Sequence, residues 1–99
     1  MTVRTLSEIT AELQALKPTL KERFKVETID IFGSYARGQQ NEKSDVDLLV
    51  TYCEPVSFFV TYDLQNYLRR KLRVKVDVVS KKFVNPYIKS RVLQEAIAV

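Results

Sequence analysis

A chain of 99 residues that is 45% hydrophobic and 28% charged, with two glycines and three prolines, has the profile of one small globular unit rather than a disordered or fibrous chain. No stretch approaches the roughly 18 to 20 apolar residues that span a bilayer, and the opening "MTVRTLSEIT" lacks the apolar run of a signal peptide, so a cytoplasmic protein with no membrane contact is expected. Net charge is +4, with no histidine and one cysteine; Ser-His-Asp and Cys-His catalysis, an internal disulfide and the usual zinc sites are thereby excluded, leaving carboxylates that favour hard cations such as magnesium.

The first element is an amphipathic helix. Thr5 and Glu8 form a capping-box pattern, and Ile9, Leu13, Leu16, Leu20 and Phe24 recur at helical spacing. Pro18 should kink or restart it. "VETIDIF" (Val26–Phe32) is rich in β-branched and aromatic residues and ends at Gly33, which fits a strand entering a tight turn. Ser34 to about Gly38 reads as a helical turn, "QQNEKS" as a solvated loop, and residues 45–52, "DVDLLVTY", as a second strand. Cys53, just beyond it, is expected in the core.

Ser57 can cap a helix whose Val60, Leu64, Tyr67, Leu68 and Leu72 share one face. Residues 74–80, "VKVDVVS", form a third strand with Val74, Val76 and Val78 pointing one way and Lys75, Asp77 and Val79 the other. Asn85 and Pro86 start a last helix, which Ile88, Val92, Ala96 and Val99 carry to the chain end. Strand, crossover helix and strand over residues 45–80 predict a parallel pair, and the shorter link before it permits an antiparallel one. The expected fold is α/β in the α+β sense: a mixed sheet of about three strands flanked by helices, in a single unit spanning residues 1–99.

Chemistry concentrates in two places. Asp45 and Asp47, two apart on a strand, emerge on one face and repel each other unless a cation neutralises them. If the second and third strands are neighbours, Asp77 joins them, and three carboxylates with positions left open for phosphate oxygens is how magnesium is normally held. In a two-metal site one ion activates the attacking oxygen and the other stabilises the leaving oxygen, with Asp77 the best general-base candidate. Capping accounts for one such aspartate, not for three in so small a chain. Gly33 and Ser34 supply the complementary half: glycine permits close backbone approach, and serine at a helical N-terminus offers a hydroxyl and N–H groups to phosphate. Charge supports a nucleotide, since residues 51–99 hold nine Lys or Arg against four acids while residues 1–50 hold seven against eight. "LRRKLRVK", taken alone, reads first as a solvated helix end.

"GSYARGQQNEKSDVDLLV", with ten residues between Gly33-Ser34 and Asp45-x-Asp47, resembles the GSx10DxD signature of the polymerase-β-type nucleotidyltransferase superfamily, and "VDVV" around Asp77 resembles its third carboxylate. Small size and "NPYIKSRVLQEAI" resemble the minimal nucleotidyltransferase branch encoded beside HEPN-type ribonuclease toxins. The resemblance implies a polymerase-β-like core and an antitoxin that is a protein adenylyltransferase, moving AMP from Mg-ATP to a tyrosine hydroxyl of its HEPN-type toxin partner. Gly33 and Ser34 would then hold the β- and γ-phosphates, Asp45 and Asp47 the metals, and Asp77 would complete the metal site and assist deprotonation of the acceptor. Arg37 touches phosphate or pairs with a nearby acid; Lys81 and Lys82 are either solvated or neutralise triphosphate; Tyr35 packs or faces a partner. The competing functions are an antitoxin that only masks the toxin, a small-molecule nucleotidyltransferase, and, ranked last, direct nucleic-acid binding.

Overall fold

The computed structural model describes residues 4–99. The first helix, α1 (Leu6–Phe24), begins at the capping box: the Glu8 backbone N–H donates to Thr5 Oγ1, and the Thr5 N–H donates to the Glu8 carboxylate, each at 3.1 Å. It runs through Pro18 as one helix. It ends at Lys25, which adopts the left-handed conformation at φ 62° without being a glycine.

Strands β1 (Val26–Phe32) and β2 (Val46–Tyr52) pair antiparallel, with Ile31 opposite Leu48 and Phe32 opposite Asp47. Helix α2 (Phe58–Leu72) then crosses to β3 (Val76–Ser80), which lies parallel to β2. Ser57 sits at the N-cap of α2, but its side chain makes no capping bond. A 3-10 turn, Lys81–Phe83, leads to α3 (Pro86–Glu95), capped by the Asn85 side chain with Pro86 in the first turn.

The last helix does not reach the chain end. Ala96 is extended (φ −65°, ψ 138°), and Ile97–Ala98 forms a fourth strand, β4, antiparallel to β1. The sheet therefore has four strands in the order β3-β2-β1-β4, not about three. The reason is local competition: the free side of β1 offers backbone partners, among them the Ile29 carbonyl that accepts from the Val99 N–H at 2.9 Å, and β-branched residues at 97 and 99 fit a strand better than a helix.

Strand alternation divides the sheet into two faces. Val46, Leu48 and Val50 of β2, Ile31 of β1 and Val76 and Val78 of β3 face one way and are buried beneath Ile9, Leu13 and Leu20 of α1 and Leu64, Leu68 and Leu72 of α2. The opposite parity carries Asp47, Leu49, Thr51 and Asp77. Cys53 falls on that parity and is exposed, so the expected core position does not hold. No helix is long and apolar enough to cross a membrane among the described residues.

Candidate active site

Antiparallel β1–β2 pairing places the end of β1 beside the start of β2, and parallel β2–β3 pairing places the start of β3 there too. Three chain segments thus meet at one end of the sheet. The register is direct: Asp47 lies opposite Phe32 on one side and Asp77 on the other.

The turn after β1 is a single closed helical turn. The Arg37 N–H donates to the Gly33 carbonyl at 3.2 Å, Gly38 to Tyr35 at 3.3 Å and Gln39 to Ser34 at 2.9 Å. The last two bonds, with Gly38 at φ 69°, make a Schellman-type ending that requires the left-handed conformation glycine accepts most easily. Tyr35, 2% exposed, anchors the turn in the core, so it packs and does not face a partner. Gly33 itself sits at φ 75°. A Cβ there would lie 2.2 Å from Asp47 Oδ2. The glycine and the carboxylate therefore fill one small space, and side-chain atoms at position 33 would displace the aspartate.

Asp45 is delivered by a structured loop. The Asn41 N–H donates to Ser44 Oγ at 2.9 Å and the Lys43 N–H to Asn41 Oδ1 at 2.8 Å, a pattern in which short polar side chains replace backbone partners. Asp45 precedes the first paired residue, Val46, so the strand begins one residue later than expected. Its Oδ2 lies 3.7 Å from Lys75 Nζ. Asp77 accepts from Arg69, with Nη2 to Oδ1 at 3.3 Å. Asp47 makes no ion pair among the described residues. Burial, then the neighbouring charges of Asp77 and Asp45, push its carboxyl up to about 6, with Arg37 acting in the opposite direction.

Arg37 pairs with a nearby acid, Nη1 lying 3.1 Å from Glu95 Oε2, and its Nε donates to Gln39 Oε1 at 3.1 Å. It ties the end of α3 to the glycine turn. Three counterions, Lys75 for Asp45, Arg69 for Asp77 and Glu95 for Arg37, were not singled out from the sequence. Strand parity could have signalled Lys75, which lies two residues before Asp77. Nothing short of the packing of α2 on β3 signals Arg69.

The donor set suits a hard divalent cation, being oxygen-only, gathered at one end of the sheet and centred on a half-buried carboxylate whose charge is uncompensated. As the side chains lie, no three acids among the described residues converge on a common point. A divalent ion would be held by Asp45, Asp47 and Asp77. Gly33, Ser34 and the turn they open would face phosphate oxygens.

Comparison with known proteins bears on this arrangement. Residues 13–99 match the model of the nucleotidyltransferase domain family. Protein adenylyltransferase MntA of Thermococcus cleftensis is 42% identical over 99 residues, covering 100% of both chains. A solved "putative minimal nucleotidyltransferase" superposes with a TM-score of 0.83 at 33% identity, again over 100% of both chains. A crystal structure of a toxin–antitoxin with AMP-PNP contains a chain that matches with a TM-score of 0.73 at 25% identity, over 88% of this chain and 70% of that one.

Proposed function

From the premise that the chain belongs to the nucleotidyltransferase domain family and is a nucleotidyltransferase of the protein adenylyltransferase type, we propose that it is an antitoxin that transfers AMP from Mg-ATP to a tyrosine hydroxyl of a HEPN-type ribonuclease toxin and so neutralises it. The observation that carries this reading is the meeting of the Gly33 turn with Asp45, Asp47 and Asp77 at one end of the sheet. Full-length similarity to MntA supports the protein acceptor, and the toxin–antitoxin neighbour bound to AMP-PNP supports both the partner and the nucleotide.

The chain's own groups account for the transfer as follows. The absence of a side chain at Gly33 lets the backbone of the turn approach the triphosphate, and Ser34 offers a hydroxyl to its β- and γ-oxygens. Asp47 and Asp45 present carboxylate oxygens beside it. A magnesium ion held there would offset the repulsion among the carboxylates and draw charge from the phosphate oxygens during transfer. The acceptor oxygen attacks the α-phosphorus, the bond to the α–β bridging oxygen breaks, pyrophosphate leaves, and Asp77 takes the hydroxyl proton. Because Asp77 is nearly half exposed, a tyrosine carried by another protein can reach it from solvent.

The test is to express the chain with its toxin partner and measure the partner's intact mass, and to follow label from α-labelled ATP. The mass rises by whole AMP units, and Asp47→Ala and Asp77→Ala abolish both rise and label. Neutralisation of the toxin with no change in its mass refutes transfer and leaves masking as the mode of action.

A further inference from the structure

Helix α2 reaches the strand that carries Asp77 through two side chains one turn apart. Gln65 Oε1 accepts from the Val78 N–H at 2.9 Å, and Arg69 Nε donates to the Val76 carbonyl at 2.8 Å. These contacts bracket Asp77 on its two sequence neighbours. Arg69 does more than Gln65, because the same planar guanidinium also meets Asp77 Oδ1 at 3.3 Å through Nη2. A rigid fork that holds a carboxylate and the adjacent backbone at once fixes the bearing of the carboxylate relative to its own strand. Its neighbours Arg70 and Lys71 are exposed and form no ion pair among the described residues, Lys71 lying instead over the Tyr67 ring.

We propose that Arg69 is a positioning residue for Asp77, orienting its carboxylate toward the divalent-ion site through Oδ1 while Oδ2 remains without a hydrogen-bond partner among the described residues. The inference rests on the reading of Asp77 as an ion ligand. Ligating carboxylates are themselves held by hydrogen bonds, and loss of such a support typically lowers metal affinity or activity 10- to 100-fold. Lysine at position 69 keeps the charge but offers a point donor that cannot serve both acceptors in one plane.

The experiment measures Mn2+ affinity in the presence of AMP-PNP, together with kcat, the KM for ATP and the melting temperature, for Arg69→Gln, Arg69→Lys, Gln65→Ala and Asp77→Asn. Arg69→Gln should weaken Mn2+ binding by about tenfold or more and lower kcat with little change in KM, and Arg69→Lys should recover part of both. Gln65→Ala, which releases the strand without touching Asp77, should lower the melting temperature and leave Mn2+ affinity within about twofold. Wild-type Mn2+ affinity in Arg69→Gln, with binding lost in Asp77→Asn, overturns the inference alone. Equal weakening by Gln65→Ala and Arg69→Gln overturns it as well, because generic anchoring of the strand then suffices. Wild-type binding and turnover in Asp77→Asn refute the underlying reading of the site.

Discussion

Gly33→Ala should separate stability from activity. Two costs arise at this position, and they fall on different quantities. The backbone cost comes from φ 75°, where a Cβ meets its own chain at roughly 1–2 kcal/mol. For a domain of this size that lowers the melting temperature by about 4–16 °C. The steric cost comes from the Cβ lying 2.2 Å from Asp47 Oδ2. Non-bonded heavy atoms settle near about 3.5 Å, so the carboxylate must retreat by about 1 Å. As the far end of a flexible side chain it can do so at little cost in stability. A catalytic group displaced by that distance, however, loses on the order of 100-fold in rate. Urea denaturation and initial rates of AMP transfer measure the two effects, and the same substitution in an Asp47→Ala background isolates the first. The stability loss should be the same in both backgrounds. Wild-type turnover in Gly33→Ala, or a stability loss above about 4 kcal/mol that vanishes with Asp47→Ala, would refute the argument.

Asp47 predicts a pH dependence in metal-free protein. Its carboxyl stands at about 6 in the fold against about 3.9 for an unfolded aspartate, so the folded state retains the proton longer. The resulting stabilisation is fully present below about pH 4 and is lost as pH rises through 6. The nominal 3 kcal/mol reduces to about 1–2 kcal/mol once solvent screening of a half-buried group is allowed for, and subtracting an Asp47→Asn titration from wild type in the presence of a chelator should show that slope. Leu64→Ala, at a fully buried position of α2, should cost about 2–5 kcal/mol by urea denaturation. Lys25→Gly should stabilise by about 0.5–1 kcal/mol, because the residue holds φ 62° at the end of α1, and an unchanged or lowered denaturation midpoint would refute that reasoning.

Periodicity made most of the architecture legible. The apolar faces of α1 and α2, the capping box and the parity of β3 all follow from residue spacing, and that spacing was enough to predict which strand ends would meet. What spacing could not supply was competition between distant segments. Residues 96–99 continue a helical pattern, yet the vacant side of β1 draws Ile97 and Ala98 into the sheet. Composition alone points Cys53 to the core, whereas its parity with Asp47 and Thr51 points it outward, where the structure exposes it. The carboxylates and the glycine turn were readable because local spacing brings them together. The counterions Arg69 and Glu95 were not, because they come from other elements and are placed only by packing.

The bonds from Gln65 and Arg69 to β3 have a consequence for how this protein can meet others. The outward Val78 N–H and Val76 carbonyl of β3 are already occupied, and at the opposite side of the sheet β4 is only two residues long. A sheet terminated in this way gives an incoming strand little backbone to pair with, which closes the common route of recruitment by strand addition and removes a template for aggregation. Recognition of a partner would then fall to side chains, and the described residues expose the aromatics Phe58, Phe59, Tyr62, Phe83 and Tyr87 together with Ile88, Leu93 and Ile97.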